Sequence, residues 1–146
     1  MIGRICQREV DTVAPGETVC QAAQRMQQRA VGTLLVLDDE ERPMGIVTDR
    51  DLVVRALAHN LDGVETRVDL VMTTPVVVVG ENVPIEAALE RMRAGGFRRM
   101  PVVDAEGRLV GLAALDDILG LLAEEFTDVG LLLQAQAPGN HVAAVT

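Results

Sequence analysis

The chain repeats itself with a period of 66 residues, and that limits what it can fold into more than any other feature. Sliding the sequence by 66 lays Val10–Arg55 on Val76–Leu121 without a gap. Eleven of the 46 pairs are identical: Val10/Val76, Val13/Val79, Ala22/Ala88, Arg25/Arg91, Met26/Met92, Val36/Val102, Asp38/Asp104, Glu40/Glu106, Arg42/Arg108, Gly45/Gly111 and Asp51/Asp117. Chance at this composition gives roughly three or four. Unmatched pairs such as Leu34/Met100, Ile46/Leu112 and Leu52/Ile118 keep their polarity class. A duplicated unit of about 50 residues leaves a sheet face uncovered and is marginal alone, and two copies can bury those faces against each other.

Each copy carries the same punctuation. A β-rich run (Val10–Val13, Val76–Val79) ends in a polar turn. Thr18 then stands as an N-cap, and Pro84 suits a first helical turn. Val19–Arg29 and Ile85–Arg93 hold their apolar residues at helical spacing, with Met26 and Met92 on the core face. Two apolar runs follow in each copy, Thr33–Leu37 with Met44–Val47 and Met100–Val103 with Leu109–Ala113, each pair joined by an acidic turn. A second helix closes each unit, over Asp49–Ala58 and Leu115–Glu125, with a linker around His59–Asp69. The expected class is α+β, two β-α-β-β-α repeats related by a pseudo-two-fold axis. Residues 1–62 and 63–126 form the repeats, and 127–146 a helical extension, interrupted at Gly130, with a frayed tail over Ala137–Thr146. Packing of this kind leaves two equivalent clefts where the copies meet, and such junctions are favoured ligand sites.

Composition narrows the partners. Thirteen basic residues, all arginine, stand against 22 acidic ones, a net charge of −9. Such a surface repels nucleic-acid phosphates, and two phenylalanines with no Trp or Tyr make no stacking platform. No apolar run approaches membrane-spanning length, and Met1–Val10 lacks the apolar core of a signal peptide. Cys6 and Cys20 read as reduced thiols of a cytoplasmic protein. The all-arginine usage points to a GC-rich bacterial genome. His59 and His141, in linker and tail, form no metal set, and no nucleophile–base pair or glycine loop for phosphate is present. Catalysis is therefore not expected.

Three segments carry a family resemblance. Gly45-Ile46-Val47-Thr48-Asp49-Arg50-Asp51, Arg98-Arg99-Met100-Pro101-Val102-Val103-Asp104 and Asp69-Leu70-Val71-Met72-Thr73-Thr74-Pro75-Val76 resemble the cystathionine β-synthase (CBS) domain family in its tandem arrangement, the Bateman module. The resemblance spans Met1 to Glu125. It implies a regulatory module binding an adenosine-containing ligand, with AMP, ADP or ATP first and NAD or S-adenosylmethionine behind them, and no required cofactor. It also implies a homodimer arranged as a four-repeat disc and an unidentified protein partner in trans. Carried over by position, one cleft combines Ile46, Thr48 and Asp51 with Val77, Arg98, Arg99 and Pro101. The other combines Leu112, Ala114 and Asp117 with Asp11, Gly32, Thr33 and Leu35, and lacks both the hydroxyl and the arginine pair. One competent nucleotide site is therefore expected, the second being empty or suited to a less charged ligand.

The residue chemistry agrees. A carboxylate accepts two bonds from vicinal ribose hydroxyls, and a guanidinium fork suits phosphate. The competing reading makes Thr48, Asp51 and Asp117 helix caps and Arg98 and Arg99 a solvated pair. With those roles the chain is a dimerisation or interaction module without nucleotide. Leu119, Leu121, Leu122 and Phe126 are expected at its surface.

Overall fold

A computed structural model describes residues 1–136. The tail beginning at Ala137, with His141, lies outside the described residues. The first copy comprises β1 (Thr12–Val13), α1 (Val19–Arg29), β2 (Thr33–Leu37), β3 (Pro43–Thr48) and a helical segment. That segment starts as α2 (Asp49–Asp51) and continues as a π-helix (Leu52–Ala56) and a 3₁₀ turn (Leu57–His59). After the short helix α3 (Val68–Val71), the second copy gives β4 (Val79–Gly80), α4 (Ile85–Gly95), β5 (Arg99–Val103), β6 (Leu109–Ala114) and α5 (Leu115–Ala135).

Each copy builds a three-stranded sheet, ordered β1-β2-β3 and β4-β5-β6. The first strand of each is parallel to the second, and the second and third form an antiparallel hairpin. The duplication holds down to irregularities: the register shifts at Val36/Leu37 in one sheet and Val102/Val103 in the other. Asp38 and Asp104 close the hairpins alike, one carboxylate oxygen accepting from the amides two and four residues on at 2.9–3.0 Å. Thr18 caps α1 through a reciprocal capping box with Gln21.

Five local expectations are corrected. The run Val10–Val13 supplies only two strand residues and Val76–Val79 only Val79, because their leading residues leave the sheet to wall the clefts. Pro84 sits at the N-cap in an extended conformation (ψ 149°) rather than inside the first turn. Met100–Val103 gains Arg99, and α5 passes Gly130 unbroken to Ala135. The helix after β3 is not one regular α-helix but changes its winding twice.

The copies exchange short segments. Ile2, fully buried, and Cys6 join Val79, Met92, Met100, Val102 and Ile118 in the second core. Val68 and Val71 join Val13, Leu34, Val36 and Val47 in the first. The hydrogen bonds repeat as well. Ile2 N–H donates to the Val83 carbonyl and Val68 N–H to that of Glu17, each at 2.8 Å. Gly3 N–H likewise donates to Glu81 (2.9 Å) and Asp69 N–H to Pro15 (3.2 Å). Each core is thus completed by the strip of chain that precedes the other copy's first strand.

Candidate functional site

The exchange strips build the clefts. Leaving its core, each strip crosses the third strand of the other copy: Thr73 and Ile46 exchange backbone hydrogen bonds (2.7 and 3.0 Å), as do Gln7 and Leu112 (both 2.9 Å). Gly45 and Gly111 permit the crossing. A Cβ on Gly45 would stand 2.7 Å from the Met72 sulfur and 2.8 Å from the Thr73 carbonyl oxygen, and one on Gly111 would collide with the Gln7 carbonyl. The glycine heading the quoted Gly-Ile-Val-Thr segment is therefore a requirement of close backbone approach.

The first cleft has a volume of about 280 Å³. Ile46 and Thr48 from β3 and Asp51 from α2 form one side, Thr73, Pro75, Val76 and Val77 from the crossing strip another, and Phe97 and Arg99 the third. Thr48 and Asp51 form a capping box. Asp51 N–H donates to Thr48 Oγ1 (3.1 Å), and Thr48 N–H donates to Asp51 Oδ2 (3.0 Å). Arg55 stands 3.7 Å from Asp51 Oδ1 and donates to the Val71 carbonyl and Thr73 Oγ1, both at 3.0 Å. Capping thus occupies one acceptor position of Asp51, and a carboxylate has about four. The capping and ligand readings of this residue are compatible.

Arg99 differs from its neighbour. Arg98 turns to Asp116, with a guanidinium–carboxylate bond of 2.9 Å, and does not line this cleft. Consecutive side chains at the start of an extended strand face opposite ways, which leaves Arg99 alone of the pair on this cleft. Arg99 makes no side-chain hydrogen bond or ion pair among the described residues. Pro101, also expected here, is fully buried opposite Leu112 and does not reach the cleft surface.

The second cleft, about 430 Å³, is the first one's image. All nine lining residues of the first have their 66-residue counterparts in the second: Leu112, Ala114 and Asp117; Gln7, Glu9, Val10 and Asp11; Val31 and Thr33. Gly32, Leu35 and Asp116 line it too, together with Ile46 and Arg99, which border both clefts. The expectation that no guanidinium reaches this cleft is thereby corrected: Arg99 does. Two of its acids are paired, Asp11 with Arg29 at 2.7 Å and Asp116 with Arg98. Thr73, Pro75, Val76 and Phe97 line the first cleft beyond the residues expected there, and Thr73–Val76 lie in the segment that resembles the family's lead into a repeat.

Among the described residues no cluster of His, Cys, Asp or Glu could hold a metal ion, and no helix is long and apolar enough to cross a membrane. Cys6 and Cys20 are free thiols.

The fold and its mirrored clefts define a tandem-repeat module with two ligand-sized junctions. The chain belongs to the CBS domain family, whose model matches residues 2–57 and 67–124. It is 38% identical over 110 residues to the CBS domain-containing protein YhcV of Bacillus subtilis, covering 75% of this chain and 76% of that one. It spans 60% of the protein MK0525 of Methanopyrus kandleri (32% identity) and 21% of the inosine-5'-monophosphate dehydrogenase of Methanocaldococcus jannaschii (40% identity). Among solved structures it resembles Hypoxic Response Protein I with two coordinated zinc ions (TM-score 0.72, 32% identity, 81% of this chain and 95% of that one). It also resembles CBSX2 in complex with AMP (0.70, 27%, 84% and 96%). A third is the CBS domain pair of MJ0100 with 5'-methylthioadenosine and S-adenosyl-L-methionine (0.69, 25%, 86% and 97%).

Proposed function

We propose that this chain is a regulatory, non-catalytic module that binds an adenosine-containing nucleotide in the cleft of Thr48, Asp51 and Arg99. AMP, ADP or ATP is the ligand class, with NAD and S-adenosylmethionine as wider members. One observation carries the reading: an acceptor carboxylate and an unpartnered guanidinium converge on one cleft whose remaining walls are largely apolar. Ile46, Pro75, Val76, Val77 and Phe97 offer an adenine slot, Asp51 accepts from ribose hydroxyls, and Arg99 takes the phosphate. The binding of AMP by CBSX2 supports the class. Its signal passes in the cytoplasm to a protein partner in trans, or through self-association as a homodimer.

Thermal unfolding with a nucleotide panel tests this. A ligand at 100 times its dissociation constant adds about 2.7 kcal/mol of stability. Asp51→Asn retains an acceptor for the Thr48 amide and loses the charged acceptor for ribose, so it weakens binding by about tenfold or more while the unliganded midpoint holds. A panel that shifts nothing overturns the reading.

A second reading, an interaction module without nucleotide, is favoured by the far half of α5. Phe126 is 76% exposed there, and Val129, Leu131, Leu132 and Leu133 are all more than half exposed. Apolar residues so placed gain from burial against a second copy. A stable dimer on gel filtration together with an unresponsive nucleotide panel puts this reading first.

A further inference from the structure

Arg99 borders two clefts and has no partner in either. The first holds only two ionisable lining residues, Asp51 and Arg99. The second holds four acids, Glu9, Asp11, Asp116 and Asp117, and Arg99 is again the lone cation of its lining. Arg29 and Arg98 neutralise Asp11 and Asp116 by direct ion pairs. Glu9 and Asp117 make no direct ion pair among the described residues, Glu9 interacting with Arg29 only at longer range. One guanidinium thus borders a site with a single carboxylate on one side and a site with four carboxylates, two of them ion-paired, on the other.

We propose that Arg99 is a guanidinium shared between the clefts. A chain then holds one anionic ligand at a time, and an anion in the first cleft turns the second into a site for a cationic ligand of similar size. The proposal rests on the nucleotide reading above and adds the coupling and the second ligand's charge. The physical reason is local charge balance. A phosphate in the first cleft draws Arg99 to itself through charge-assisted bonds. The second cleft then keeps its carboxylates without their cation, which repels a second phosphate and attracts an ammonium or sulfonium group. Because the coupling is between binding equilibria, each ligand must strengthen the other by the same factor.

The position of the missing charge is known from the repeat. Thr33 stands in the second cleft where Arg99 stands in the first, one period away. Thr33→Arg therefore gives the second cleft a guanidinium of its own.

The test is a two-ligand titration of the full chain by calorimetry. AMP is the anionic probe and 5'-amino-5'-deoxyadenosine, with an ammonium in place of the phosphate, the cationic one. The wild-type chain binds one AMP and, at AMP saturation, also one amine. Amine affinity rises at least about fivefold with AMP present, and AMP affinity by the same factor with amine present. Arg99→Gln weakens AMP and removes the enhancement, and Thr33→Arg raises AMP stoichiometry from one to two. Competition between AMP and the amine, absence of enhancement, or two equal AMP sites in the wild type overturns the sharing and leaves the nucleotide reading standing. If AMP, ADP and ATP all fail to bind, both fall together.

Discussion

Ile2, the second residue of the sequence, should behave as a core residue. Its side chain is fully buried among Val79, Met92, Met100, Val102 and Ile118, more than 75 positions away in sequence. Ile2→Ala removes three carbons, about 2.4 kcal/mol at about 0.8 kcal/mol per buried methylene. The space left adds a cavity term, because the strip cannot slide to fill it. It is pinned by the bonds of Ile2 to Val83, Gly3 to Glu81 and Gln7 to Leu112, all at 2.8–2.9 Å. A total of about 2.5–4 kcal/mol follows, inside the range for buried aliphatic residues cut to alanine. Urea unfolding at equilibrium measures it as a fall in midpoint at constant m. The comparison variant is Val53→Ala, whose side chain is more than half exposed and which should stay within about 0.5 kcal/mol of wild type. An Ile2→Ala loss no larger than that of Val53→Ala refutes the segment exchange, and with it the account of how the clefts are walled.

Three further outcomes follow from the same geometry. Gly45→Ala pushes the crossing strip, at Met72 and Thr73, away from β3; it should cost about 1–3 kcal/mol and weaken nucleotide binding, checked by urea unfolding and calorimetry on one sample. Ala30 ends α1 in the left-handed region (φ 53°) where its counterpart Gly96 ends α4, so Ala30→Gly should stabilise by about 0.5–1 kcal/mol, read as a raised thermal midpoint. Glu17 is held below its ordinary value near 4.5, first by the Arg25 side chain and also by the Ala14 amide. A depressed carboxylate contributes stability above its unfolded value and loses it as pH falls through the folded one. Glu17→Gln should thus cost up to about 1 kcal/mol at pH 7, and the gap to wild type should close below pH 4.5 in a series of urea titrations.

The parts of the fold legible in the sequence are those in which local signals and the repeat agree. Val19–Arg29 was bounded by a capping threonine and a helical stripe, and the hairpins by paired apolar runs around Asp38 and Asp104. Chemistry could be placed only coarsely. Arg98 and Arg99 looked like one basic pair, but alternation at the strand start sends Arg98 to Asp116 and leaves Arg99 on the clefts. Pro101 looked like a cleft residue because a family motif contains it, yet the sheet buries it. The segment exchange left no readable trace: Ile2–Arg4 and Val68–Val71 are too short to show a period, and their destination is decided by tertiary packing alone.

Because backbone crossings make the clefts, duplication produced both whether or not both were used. Gly45 and Gly111 are needed equally, and the strips lie in the same register against β3 and β6. What separates the sites is the charge and hydrogen-bonding capacity of a few side chains on matching frames: Thr48 against Ala114, Pro75 against Glu9, Val77 against Asp11 and Arg99 against Thr33. Each of these differences removes a donor or adds an acid on the second side. The second cleft is also the larger, about 430 against 280 Å³, so size alone would favour it for a nucleotide. If the first cleft nonetheless takes the nucleotide, charge must have outweighed volume. Ligands of one size and different charge would then sort between the clefts, while ligands of one charge and different size would not.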